Sequence, residues 1–193
     1  MGLPRTLARH VLLPLARKVS TIRSIAAFID GHLGKNGYQR QREQFIRNGQ
    51  GTQWTEEIRS EIVRRFEAID HSVPIQSSPS DGLILAEAAL SMTAEGDIVE
   101  CGAFSGGSTA KLSILAHHLR RRLLVFDSFE GLPPVPTTEV ADHHARQSAA
   151  CIWKAGACRA SLDEVQGNVA AHGEPAACVF VRGWFSDTLT AVH

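Results

Sequence analysis

Long apolar runs, closely paired cysteines and a net charge are all missing from this 193-residue chain. Nowhere do apolar residues approach the run of roughly 18 that a membrane-spanning helix needs. The four cysteines lack the short paired spacings of a disulfide scaffold. Twenty Lys and Arg balance twenty Asp and Glu, which argues against a nucleic-acid partner. These absences leave an ordinary globular protein, which we expect to be cytoplasmic and not bound to a membrane.

The charge balance conceals a basic N-terminal quarter. Residues 1–50 carry nine Lys and Arg against Asp30 and Glu43, so this part is +7 and the remainder is −7. Apolar residues recur every three or four positions over residues 15–33, which predicts an amphipathic helix. We expect residues 1–53 to form a basic helical extension and linker, whose helix packs on its own domain or forms a homo-oligomer. A targeting peptide and a helix lying on a membrane are the alternatives.

Two helices are predicted between the extension and the first strand. Residues 34–53 are rich in Gly, Gln and Arg, which predicts an irregular connection. Thr55 is the predicted N-cap of the first helix, and Ser78, with Asp81 three residues later, is that of the second. Gly96 is the predicted stop of the second helix.

Strands and helices then alternate along the chain. The predicted order is strand 97–102, helix 108–119, strand 122–127, helix 161–172 and strand 177–182. This order implies right-handed crossovers and parallel pairing, so the predicted fold class is α/β, with three parallel strands in the order 3-2-1. Three such strands are the N-terminal half of a doubly wound, Rossmann-like sheet, and residues 54–193 would be an incomplete domain of that kind.

The turn after the first predicted strand is the expected ligand site, because such sheets bind ligands beyond the carboxyl ends of their strands. Residues 100–109 read Glu-Cys-Gly-Ala-Phe-Ser-Gly-Gly-Ser-Thr. Phe104 stands where a dinucleotide fingerprint has its second glycine, which argues against NAD and FAD. No lysine follows the glycines, which excludes a Walker-type loop. A nucleoside cofactor without phosphates fits this turn, and S-adenosylmethionine is the common one.

Each part of S-adenosylmethionine has a predicted partner here. The amides that open the helix at Ser108 suit its carboxylate, Glu100 suits its ammonium group, and Asp127 at the end of the second strand suits the ribose hydroxyls. In the alternative interpretation, the glycines only permit a tight turn and Asp127 only caps a loop. The predicted cofactor-binding residues are Glu100, Cys101, Gly102, Ala103, Phe104, Ser108, Asp127 and Ser128.

Four motifs, in order along the chain, resemble the TylF or macrocin O-methyltransferase family. They are Val-Glu-Cys-Gly at 99–102 with Gly-Gly-Ser at 106–108, Phe-Asp-Ser-Phe-Glu-Gly-Leu-Pro at 126–133, Ser-Leu-Asp-Glu-Val at 161–165 with Asn168, and Gly-Trp-Phe-Ser-Asp-Thr-Leu at 183–189. The resemblance implies a class I, S-adenosylmethionine-dependent and magnesium-assisted O-methyltransferase. Its substrate would be a sugar hydroxyl of a glycosylated natural product, such as a macrolide antibiotic.

The resemblance also assigns residues to the substrate or to a lid. The loop over 128–133 would close near the adenosine or the substrate, and residues 184–188 would line the site after the third strand. Trp184 and Phe185 could equally be hydrophobic cover for the sheet. The residues assigned to the substrate or lid are Phe129, Glu130, Trp184 and Phe185.

The chain departs from the family pattern at its end. In the family, later strands carry the aspartates that hold magnesium, and this sequence stops at His193 before any of them. We therefore expect no metal ligands in this chain and no methyl transfer by the chain alone. His143 and His144 are candidates for a local base, because histidine titrates near neutral pH, and a solvated loop cluster is the alternative.

Other interpretations of the chain stay open at this point. Cys151, Cys158 and Cys178 near the two histidines lack the Cys-x-x-Cys pairs of a zinc site, and Cys101 lies in the first predicted strand, so all four are expected to be buried free thiols. The chain could be a non-catalytic remnant that binds S-adenosylmethionine or associates with another subunit. An NAD-dependent oxidoreductase is the third possibility, and Phe104 argues against it.

Overall fold

A computed structural model describes residues 37–134 and 155–189. The chain forms two compact units, Met1–Gln44 and Phe45–His193. Of the first unit, only residues 37–44 are described, and they are helical. The amphipathic helix predicted over residues 15–33 lies outside the described residues. The elements of the second unit, in order, are α1 (Glu56–Ser72), α2 (Pro79–Ser91), β1 (Ile98–Cys101), α3 (Gly107–Leu119), β2 (Leu123–Asp127), α4 (Leu162–His172), a 3-10 turn (Pro175–Ala177), β3 (Cys178–Arg182) and the short α5 (Phe185–Thr188).

The predicted sheet is confirmed. β2 lies between β1 and β3, and both pairings are parallel, with Val99 opposite Leu124 and Leu124 opposite Val179. The order β1-β2-β3 is the predicted 3-2-1 order read from the other edge. α3 follows β1, α4 precedes β3, and the two helices pack against each other, so they lie on the same face of the sheet.

The helix-covered face and the opposite face of the sheet differ in exposure. Leu123 and Val125, which point toward the helices, are fully buried. Val99 and Val179 alternate to the other face and are 53% and 43% exposed. Cys101 shares this open face with Val99 and is also exposed. The prediction of buried thiols is therefore wrong for Cys101, because the side of β1 that carries it is uncovered.

Capping residues start the helices where the sequence predicts. Thr55 accepts a hydrogen bond from the Ile58 N–H and begins α1. Ser78 and Asp81 form a reciprocal capping box at the start of α2. Both caps satisfy backbone N–H groups that have no partner within the helix.

The end of α2 differs from the prediction. The helix stops at Ser91, because Met92 has an extended backbone, and Gly96 lies in the connection that follows. Arg121 donates a hydrogen bond to the Ala94 carbonyl within this connection. This tertiary contact leaves no trace in local sequence patterns.

The connection predicted over residues 34–53 contains a helix. Residues 37–47 are helical, and Phe45 is 3% exposed with the Arg59 guanidinium 4.7 Å above its ring. The prediction of an irregular segment is wrong here because polar residues surround this single buried anchor, so the sequence shows no apolar stripe.

A buried ion pair joins α1 to α3. Lys111 is 2% exposed, and its Nζ lies 2.5 Å from Oδ1 of Asp70. The same ammonium group lies 5.4 Å from the centre of the Phe66 ring. This contact fixes the helix that follows the glycine turn against the helices that precede the sheet.

Candidate functional site

A cavity of about 590 Å³ opens at the carboxyl ends of the three strands. Its walls come from the turn after β1, the loop after β2 and the segment after β3. The residues that line it are Gly102, Phe104, Asp127, Ser128, Gly131, Leu132, Pro133, Cys158, Gly183, Trp184, Phe185 and Ser186. Most of this lining is aromatic, aliphatic or backbone, so the cavity suits a largely apolar ligand with a few polar groups.

The turn from β1 into α3 is held tightly at both of its ends. The Gly102 N–H donates to the Phe126 carbonyl at 2.8 Å, and the Gly106 N–H donates to the Ala103 carbonyl at 2.8 Å. Gly106 has φ +84°, and a Cβ there would lie 3.0 Å from Val165. Phe104 also has a left-handed backbone, with φ +48°, which is an uncommon state for a residue with a side chain. The turn therefore holds a strained backbone at the cavity wall, as functional sites commonly do.

Asp127 connects the turns after β1 and β2. Its Oδ2 accepts the Ala103 N–H at 2.6 Å, and its Oδ1 accepts the Phe129 N–H at 2.6 Å. Its carbonyl accepts the Gly183 N–H at 3.0 Å, next to the end of β3. One residue thus positions all three segments that wall the cavity. Each carboxylate oxygen keeps a lone pair, so Asp127 can still accept a hydrogen bond from a ligand.

The loop after β2 is closed by a short backbone pairing. The Leu132 N–H donates to the Ala157 carbonyl, and the Gly156 N–H donates to the Leu132 carbonyl, both at 2.8 Å. Gly131 has φ +81°, and a Cβ there would lie 2.6 Å from the Ala157 oxygen. This pairing brings Cys158 to the cavity wall.

We expect Gly131→Ala to lower both the free energy of unfolding and the affinity for a ligand of this cavity. The variant adds the strain of a left-handed alanine, about 1–2 kcal/mol, and a clash with the Ala157 backbone. Gly156→Ala is the matched control, because Gly156 has φ +74° but open space at its Cβ position. Thermal unfolding should show a larger fall in Tm for Gly131→Ala than for Gly156→Ala. An equal fall in Tm for the two variants would contradict this account of the loop.

Glu100 lies beneath the turn, on the helix-covered face of β1. It is 8% exposed, and its Oε1 accepts a hydrogen bond from the Ser108 hydroxyl at 2.6 Å. Burial raises the pKa of Glu100, and the nearby negative charge of Asp127 raises it further. Burial also raises the pKa of the Cys178 thiol to about 11, with the Glu100 charge as a second cause. The sequence predicts Glu100 at the site but does not reveal its burial.

The structure brings some of the predicted site residues together and separates others. Six of them line the cavity: Gly102, Phe104, Asp127, Ser128, Trp184 and Phe185. Four more predicted cofactor residues, Glu100, Cys101, Ala103 and Ser108, lie at or below the turn and are not among the lining residues. Phe129 and Glu130 line a second cavity of about 410 Å³, with Arg159 and Arg182. Of the four residues predicted for the substrate or a lid, Phe129 and Glu130 therefore line one cavity, and Trp184 and Phe185 line the other.

Sequence reasoning missed Cys158 and Gly183 as cavity residues. Cys158 reaches the wall through the backbone pairing of Leu132 with residues 156–157, which follows a long loop and has no local signal. Cys158 is exposed rather than buried, which is the second correction to the predicted thiols. Gly183 could have been found, because it directly follows the third predicted strand.

The described part of the chain contains no group of three or more His, Cys, Asp or Glu side chains that could hold a metal ion. His143, His144 and Cys151 lie outside the described residues, so the proposed base and part of the zinc alternative have no structural account. In the described residues no helix is long and apolar enough to cross a membrane.

Known proteins resemble the region that contains this site. Residues 84–193 match the sequence model of the macrocin-O-methyltransferase (TylF) family. A curated relative from Streptomyces olivaceus, 8-demethyl-8-(2,3-dimethoxy-alpha-L-rhamnosyl)-tetracenomycin-C 4'-O-methyltransferase, is 36% identical over 108 residues. That match covers 53% of this chain and 40% of the relative, so the chain spans less than half of the relative's length.

A solved structure, that of the O-methyltransferase NovP, matches 69% of this chain and 47% of its own chain, with 23% identity and a TM-score of 0.38. The family match includes β1, β2, β3 and the cavity that their carboxyl ends form. Because it covers more than half of the sequence, the chain belongs to the macrocin-O-methyltransferase (TylF) family.

Proposed function

We propose that this chain carries the S-adenosylmethionine site of an O-methyltransferase that acts on a sugar hydroxyl of a glycosylated natural product. The observation that carries the proposal is the cavity at the carboxyl ends of β1, β2 and β3, bounded by the Gly102 turn and Asp127. A ligand in a parallel α/β sheet binds at this end of the strands. Family membership supports O-methyl transfer as the reaction.

The chain's own residues supply partners for each part of the cofactor. Asp127 accepts hydrogen bonds from the ribose hydroxyls, through the lone pairs that its two backbone contacts leave free. The first turn of α3, at Gly107 and Ser108, presents backbone N–H groups to the carboxylate of the amino-acid end. Trp184 and Phe185 offer aromatic surfaces to the adenine ring.

The bound cofactor supplies an electrophilic methyl carbon on a sulfonium. The role of the described residues is to bind and orient it, because a methyl group must lie in line between the attacking oxygen and the departing sulfur. The described residues hold no cluster of ligands that suits magnesium. His143 or His144 as the proton acceptor stays a prediction.

The acceptor class rests on the tetracenomycin relative, whose name describes methylation of a glycosylated compound. The apolar lining around Leu132, Pro133 and Phe185 is compatible with a large, partly apolar acceptor next to the cofactor. Whether the 193-residue chain performs the transfer by itself is decided by a methyl-transfer assay with labelled cofactor.

Calorimetry with S-adenosylhomocysteine tests the proposed cofactor site directly. We expect the purified chain to bind S-adenosylhomocysteine and not NADH, because Phe104 lines the cavity where a pyrophosphate would approach the backbone. Trp184→Ala should weaken the binding by about tenfold, since an aromatic contact contributes about 0.5–1.5 kcal/mol beyond its buried area. Trp54→Phe is the control, because the Trp54 indole donates to the Leu90 carbonyl outside the cavity. Binding of NADH in place of S-adenosylhomocysteine would support the oxidoreductase alternative.

A further inference from the structure

The carboxyl of Glu100 is incompletely satisfied inside the protein. Its Oε1 has the Ser108 hydroxyl as a partner, while its Oε2 is buried and accepts no hydrogen bond. The hydroxyl of Thr109, which is fully buried in the same helix turn, also makes no hydrogen bond of ordinary geometry, although it lies close enough to Glu100 to lower the pKa of that carboxyl. Two unpaired polar atoms thus lie under the first turn of α3, within the part of the chain that the structure describes.

The charges around Glu100 do not favour an ionised carboxylate. The Ser108 and Thr109 hydroxyls on α3 are neutral donors that lower the pKa of Glu100, while burial, the largest cause, and the like charge of Asp127 on β2 raise it. The Cys178 thiol on β3 keeps its proton. No cation among the described residues forms an ion pair with Glu100, and a buried charge without such a partner is costly. A neutral carboxyl at this place has a hydrogen that it can donate to the Thr109 hydroxyl, which lies close enough to affect the pKa of Glu100.

We propose that Glu100 carries a proton in the free protein and releases it to solvent when the amino-acid end of the cofactor binds at the first turn of α3. The O–H bond of the carboxyl breaks, the proton leaves to the buffer, and the carboxylate that remains beneath the turn attracts the ammonium group of the cofactor. A cation within about 4–6 Å of a carboxyl favours its charged form. The inference rests on the proposed cofactor site, and Glu100 is a positioning residue in it.

The free protein gives a first test, which needs no cofactor. A carboxyl whose folded pKa is raised stabilises the fold fully only below its unfolded pKa, and this stabilisation is lost as the pH rises through the folded pKa. Glu100→Gln keeps the shape of the neutral carboxyl and cannot ionise. Thermal unfolding between pH 5 and pH 8 should therefore show wild type losing stability relative to Glu100→Gln as the pH rises. Parallel profiles for the two proteins would overturn the proposal.

Calorimetry of S-adenosylhomocysteine in buffers with different ionisation enthalpies gives the second test. We expect wild type to release up to one proton per ligand, and its affinity to rise by up to tenfold per pH unit between the folded pKa values of the bound and free states. Glu100→Gln should show neither effect, and at pH 8 it should bind about tenfold or more weakly than wild type. 5'-Methylthioadenosine, which lacks the amino-acid end, should bind wild type without proton release.

The outcomes separate this inference from the proposed function. Binding of S-adenosylhomocysteine without proton release, or with the same release by Glu100→Gln, overturns the inference alone. Proton release with 5'-methylthioadenosine also overturns it, because the amino-acid end would then have no part. Absence of S-adenosylhomocysteine binding at every pH overturns the proposed function and the inference together.

Discussion

Asp127→Ala is expected to reduce the affinity for S-adenosylhomocysteine by at least 100-fold. The carboxylate holds the Ala103 and Phe129 N–H groups, each at 2.6 Å, on the two turns that wall the cavity. A hydrogen bond to a charged group contributes about 1.5–3 kcal/mol, and a tenfold change in affinity corresponds to about 1.4 kcal/mol. Loss of both bonds therefore releases both turns, and the ribose loses its acceptor as well. Calorimetry on the folded variant measures the change.

Asp127→Asn distinguishes the bridging role from a simple contact with the ligand. An asparagine offers one acceptor oxygen in place of two, and its NH₂ group faces a backbone N–H that also donates. We expect this variant to lose most of the affinity that Asp127→Ala loses. Glu95→Gln, in the exposed connection before β1, is the control and should bind normally. Near-normal binding by Asp127→Asn would show that the two turns do not depend on the shared carboxylate.

Asp70→Ala is expected to lower the free energy of unfolding by about 3–5 kcal/mol, the typical result of leaving one partner of a buried ion pair alone. Lys111 is 2% exposed, so its ammonium group cannot reach water without a rearrangement of α3. For a chain of this size, about 1 kcal/mol corresponds to a shift of about 2–4 °C in Tm. Differential scanning calorimetry should therefore show a fall of about 6–20 °C in the Tm of Asp70→Ala.

The double variant Asp70→Leu with Lys111→Met separates an isolated buried charge from a loss of packing. Replacing both partners with apolar residues removes the unpaired charge, and such replacements are often neutral or stabilising. We expect the double variant to recover most of the Tm that Asp70→Ala loses. The exposed pair of Arg122 and Asp97 is the comparison, because water screens this pair and Asp97→Ala should leave the Tm almost unchanged. A double variant as unstable as the single one would indicate that shape, and not charge, decides stability at this place.

Much of the fold could be predicted from the sequence because the signals are local. Thr55 and Ser78 begin their helices through side-chain contacts within three residues, and the alternation of strand and helix fixes the parallel order. The glycine turn and the residue that ends β2 are likewise adjacent to strand ends, where parallel sheets bind ligands. These are the features that the structure places at the cavity.

The remaining features depend on contacts between distant residues. α2 ends at Ser91 and not at Gly96, and the connection that follows contacts the distant Arg121 through the Ala94 carbonyl. Cys158 reaches the cavity through a backbone pairing with Leu132 across a long loop. The burial of Glu100 and Lys111 follows from helices packing on one face of the sheet, and neither residue type indicates burial by itself.

Cys101, on the exposed face of β1, can carry a spectroscopic label that reports on the sheet. The Cys101 thiol points to the same side as Val99, and its position between the edge of the sheet and the glycine turn makes it accessible to maleimide reagents. A spin label or fluorophore attached there, in a variant with serine at Cys151 and at Cys158, the other exposed cysteine among the described residues, would sense the polarity of its surroundings. Its signal would therefore report whether another polypeptide segment comes to rest on that side of the strand.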